Sequence, residues 1–83
     1  MSYYKQVLGR DVWITVEKPL VYSEPHQAFV LSERFCCAYR IDQPPNMVVH
    51  GTYLHEADHL RWFMSEQDAV NAALDEVNHQ LPQ

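Results

Sequence analysis

The chain has 83 residues, 47% of them hydrophobic and 20% charged, with two glycines, five prolines and a net charge of −5. That length fits one domain over 1–83 with a small core burying about 60–65% of the unfolded surface. No apolar run exceeds the five residues from Phe35 to Tyr39, which excludes a membrane-spanning helix. The first residues lack the basic and apolar regions of a signal peptide, so the expected location is cytoplasmic.

The charge is unevenly placed. Five basic and five acidic residues balance up to His55; from Glu56 onward six acids (Glu56, Asp58, Glu66, Asp68, Asp75, Glu76) face Arg61 alone. That third repels phosphate and no basic stripe offsets it, which disfavours direct nucleic-acid binding. An acidic surface suits a basic protein partner. The same acids would also serve solubility without any partner.

In chain order, residues 1–11 read as an aromatic lead-in ending in a turn at Gly9-Arg10-Asp11. Val12, Ile14 and Val16 alternate with Trp13, Thr15 and Glu17, the period of a strand with one buried face. Pro19 limits it, and Leu20-Val21-Tyr22 is expected to continue it as an edge after a kink. Ser23-Glu24-Pro25 carries the residues of a helix start, which predicts a short helix or loop near 23–33. The β-favouring run from Phe35 to Ile41 then predicts a strand. The adjacent Cys36 and Cys37 are too close for a relaxed disulfide and read as reduced, half-buried hydrophobes.

Pro44-Pro45 forbids regular structure there. Met47 to Leu54 reads as a strand, and Leu60 to Met64 as its antiparallel return around a 55–59 loop. Met47, Val49, Gly51 and Tyr53 would then lie against Leu60, Trp62 and Met64. The C-terminal helix over 66–80 has Ser65 as cap, Glu66 and Asp68 in its first turn, and Pro82 to end it. Its apolar stripe is Val70, Ala73, Leu74, Val77 and Leu81.

His55-Glu56-Ala57-Asp58-His59 matches H-E-x-x-H. Over these five residues the chain resembles the zincin metalloprotease motif. The resemblance implies a helix with His55 and His59 as zinc ligands and Glu56 as the base activating water. His79 could supply a third ligand. The charged Asp58 and the absent metzincin extension depart from that family. A second metal pattern pairs Glu56 and His59 with Glu76 and His79, two E-x-x-H tetrads like those of di-iron carboxylate bundles. The reading preferred is a polar hairpin tip at 55–59 without metal.

The expected fold class is α+β: a small antiparallel sheet of three to five strands with the C-terminal helix packed on one face. The expected function is a non-enzymatic binding protein that docks an acidic, aromatic-bearing surface on a basic protein partner through Glu56, Asp58, Glu66, Asp68, Asp75 and Glu76. In size and charge it is similar to small phage- or plasmid-encoded inhibitors of nucleic-acid-handling enzymes, anti-CRISPR proteins among them. The alternatives are a zinc-dependent hydrolase at 55–59 and a homodimer or assembly subunit that buries Trp and Tyr side chains.

Overall fold

The structure, a computed structural model, describes residues 1–46 and 50–81. It is an antiparallel sheet with one helix across it, the expected α+β class. Strands β1 (Ser2–Val7) and β2 (Arg10–Glu17) form a hairpin in which Val7 pairs with Arg10. The two turn residues, Leu8 and Gly9, both have positive φ (51° and 78°), as a two-residue hairpin turn matching the strand twist requires. The turn therefore shares only Gly9 with the Gly9-Arg10-Asp11 cluster expected from sequence, Arg10 and Asp11 belonging to β2, and the aromatic lead-in is itself a strand. Ser-Tyr-Tyr-Lys-Gln hid it, because Val7 is the single buried residue of β1.

After β2 the chain leaves the sheet. Among the described residues, β3 (Leu20–Ser23) and β4 (Ala28–Leu31) pair only with each other, closed at the base by Ser32 N–H donating to Pro19 O at 2.9 Å. Residues 23–33 are thus no helix. Glu24 and Pro25 start a turn in which Gln27 N–H donates to Glu24 O (3.1 Å), with Gln27 left-handed at φ 49°. Proline after the first turn residue serves a turn as well as a helix start. The following Ala-Phe-Val-Leu run decides for strand. Nor do residues 20–22 extend β2: they open this separate hairpin.

β5 (Cys36–Ile41) returns along β2, with Glu17 opposite Cys36 and Val12 opposite Ile41. β6 (Thr52–Tyr53) completes the order β1-β2-β5-β6. Of the strand expected over 47–54, Met47 and Val49 lie outside the described residues, as does Pro82. In the part described, Thr52 and Tyr53 pair with β5, while contact with the 60–64 segment comes at the strand's end, where Arg61 N–H donates to Leu54 O at 3.0 Å. β7 (His55–Glu56) and β8 (His59–Leu60) make a minimal hairpin around Ala57, whose φ is 54°. The chain then crosses to Phe63, which exchanges two 2.8 Å backbone bonds with Phe35.

Helix α1 (Glu66–Gln80) starts where expected: Asp68 N–H donates to the Ser65 hydroxyl at 3.1 Å. It packs on β5, β2 and β1. Opposed residues share a sheet face, so Val12 with Ile41, Ile14 with Tyr39 and Val16 with Cys37 all point at the helix. Ala69, Val70, Ala73 and Val77 meet them, with Leu54, Phe63 and Leu81 closing the rim. Ala69 and Ala73 are fully buried, and their small side chains let the helix lie close to the sheet. Each fully buried Val12, Ile14 and Val77 contributes about 1.5–3 kcal/mol. Both cysteines are free and buried. Cys37 Sγ–H reaches Ala69 O at 3.5 Å, and burial pushes its pKa up to about 11. No helix among the described residues is long and apolar enough to cross a membrane.

Candidate protein-docking surfaces

The histidine stretch is the hairpin tip, and its geometry separates the motif's letters. In β7 and β8, His55 opposes Leu60 and Glu56 opposes His59. Neighbouring strand residues point to opposite faces, so His55 and His59 lie on different sides of the hairpin. On a helix the same spacing would have stacked them. His55 Nδ1–H donates to Tyr53 O at 2.9 Å. His79 sits on α1, its Nδ1–H donating to Asp75 O at 2.7 Å. That bond, with the Asp75 carboxylate 3.9 Å away, raises the His79 pKa. The zinc set His55, His59 and His79 is not brought together, and no three His, Cys, Asp or Glu side chains among the described residues converge to hold a metal ion. The second E-x-x-H pattern is split between a hairpin and a helix, not facing helices.

The six acids fall on different surfaces. Glu56 and Asp58 are exposed at the hairpin tip. Glu66 is turned to β1, where its carboxylate accepts the Tyr3 hydroxyl at 2.5 Å and raises the Tyr3 pKa. Glu76 borders a cleft of about 240 Å³ with Tyr39, His55 and Arg61, and accepts from Gln80 Nε2 at 2.9 Å. Asp68 and Asp75 stand together. With Asn71 and Ala72 they follow the i, i+3, i+4, i+7 spacing of one helix face, and they form one wall of an open groove of about 640 Å³. Residues 61–64 form the other wall. There Trp62 is half-buried, Met64 is exposed, and Arg61 lies over the Phe63 ring at 5.0 Å. Neither Asp68 nor Asp75 is ion-paired to a Lys or Arg among the described residues.

On the sheet face away from the helix, Tyr53 donates its hydroxyl proton to Glu17, and His50 Nδ1–H reaches the Tyr53 oxygen at 3.3 Å. Burial and the Glu17 carboxylate push the Tyr53 pKa up to about 12. This network ties β6 to β2 across β5.

The surface that sequence reasoning missed is the β3–β4 hairpin. Leu20 opposes Leu31 and Tyr22 opposes Phe29, so four large apolar side chains share one face, each more than half exposed. Reading residues 23–33 as a short helix or loop hid the pairing. The available signal was the alternation of Leu20, Tyr22 and of Phe29, Leu31 on either side of a Pro-centred turn. No protein-family model, curated protein or solved structure matches the chain.

Proposed function

We propose that this protein is a non-enzymatic binding module that docks the groove between α1 and residues 61–64 on a basic protein surface. The observation that carries this reading is a pair of carboxylates with no Lys or Arg partner among the described residues, Asp68 and Asp75, facing Trp62 and Met64 across an open groove. A partner's Lys or Arg can lay its aliphatic stem on Trp62, Met64 and Ala72 and bring its charge to a carboxylate. Seven residues of helix separate the two acids by about 10 Å, the span of three residues of extended chain. In a segment of polyproline II form, with three residues per turn and a rise of about 3.1 Å, basic residues at i and i+3 share one face and fit both. A basic nucleic-acid channel has this chemistry, and an acidic module seated in it competes with phosphate. Small phage- or plasmid-type inhibitors of nucleic-acid-handling enzymes, anti-CRISPR proteins included, are the functional class proposed.

The test is fluorescence anisotropy with a labelled extended peptide carrying two arginines three residues apart. Binding should weaken as salt rises, and Asp68→Lys/Asp75→Lys should reduce affinity about tenfold, two exposed pairs each being worth up to about 1 kcal/mol. Equal affinity in the variant would remove the groove from the account.

A further inference from the structure

We infer that the β3–β4 hairpin is a self-association arm, and that its apolar face packs on the same face of a second copy of this chain. Leu20, Tyr22, Phe29 and Leu31 are 63%, 57%, 68% and 66% exposed, although all are large and apolar. Tyr22 and Phe29 form an edge-to-face pair with ring centroids 5.6 Å apart, so the tip rung is already ordered. Two-stranded hairpins are marginal in water without further strands or a packing partner. This one pairs with no other strand among the described residues, and the molecule measures 48 × 25 × 22 Å with a radius of gyration of 13.8 Å. A compact chain of this length has about 12 Å. The arm lacks the layer that would cover it.

Area and charge identify that layer. Four such side chains present on the order of 400–500 Å² of surface per copy, so two arms face to face bury roughly 1,000 Å², the threshold of a specific interface. No formal charge lies on this face (Leu20, Tyr22, Phe29, Leu31), so a second copy meets no like-charge repulsion there despite its net −5. The rungs are also self-complementary. In a two-fold antiparallel stack the aromatic tip rung of one arm lies over the aliphatic base rung of the other, and each contact is made twice. The arm is distinct from the acidic groove, so this association stands or falls independently of the proposed function.

The test is sedimentation equilibrium of the full chain at up to about 100 µM, in low and high salt. The expected mass approaches twice 9.8 kDa, with little dependence on salt. Leu20→Glu/Leu31→Glu in the base rung and, separately, Tyr22→Lys/Phe29→Lys in the tip rung should each weaken association about a hundredfold or more, because they place unpaired charge in an apolar interface. Both variants should keep the wild-type circular dichroism. Mixing the two should restore association, since the new charges meet only if arm packs on arm. A wild-type chain that stays monomeric, a variant that still dimerises, or a mixture that fails to associate would each overturn the inference.

Discussion

A methyl group at Gly51 would collide with the Tyr39 carbonyl, and φ of +125° adds backbone strain. Gly9, at φ +78°, has open space around its missing Cβ. Gly51→Ala should therefore cost on the order of 3 kcal/mol, and Gly9→Ala about 1–2 kcal/mol, both read by urea denaturation. Similar losses at both sites would contradict the contrast. Cys37 gives a second residue-level expectation. Its thiol pKa is raised from 9.0 to about 11 in the fold, so the protonated form is favoured there. The stability this adds is fully present below pH 9 and is lost as pH climbs through 11. Tyr53, raised from 10.0 to about 12, extends the decline by the same sign. Denaturation midpoints should fall from pH 9 upward, less steeply in Cys37→Ala; an identical slope would remove Cys37 from the effect. At this scale the sequence was least legible. The letters of H-E-x-x-H carry meaning only with a backbone: a helix stacks His55 over His59, whereas the observed strands send them to opposite faces.

Among the elements, α1 was the most legible, because its signals are local and agree. Ser65 caps it, and a stripe at helical spacing supplies the buried Val70, Ala73 and Val77. Ser65→Ala should cost about 1 kcal/mol in thermal unfolding, while the exposed Asn71→Ala should change little. β2 and β5 were legible for a like reason: each has β-favouring residues, and β2 shows clean alternation. The arm was not, because Ser23-Glu24-Pro25 satisfies a helix start and a turn equally. What separates the two is whether Leu20 and Tyr22 have partners across a turn, which is a pairing fact and not a local one. β1 was missed because most of its side chains are exposed or half-buried. β6 is only two residues long and takes its place from the β5 edge, beyond what its own pattern specifies.

For the whole molecule, the lopsided charge noted in the sequence acquires geometry. The acids of the C-terminal third do not form one patch: Glu66 is engaged by Tyr3, Glu76 borders another cleft, and Asp68 with Asp75 remain to line a groove. Which carboxylates share a surface depends on where α1 lies against residues 61–64, and that follows from the Phe35–Phe63 bridge, a contact between residues 28 positions apart. The molecule thus offers two separate surfaces, an acidic groove and a neutral apolar arm. The most direct measurement on the central claim is a ¹H–¹⁵N NMR titration of the full chain with the two-arginine peptide. The account predicts shift changes concentrated at Trp62, Met64, Asp68, Ala72 and Asp75, fading as salt is added. Changes spread evenly over all exposed acids, Glu56 and Asp58 included, or no changes at all, would contradict it.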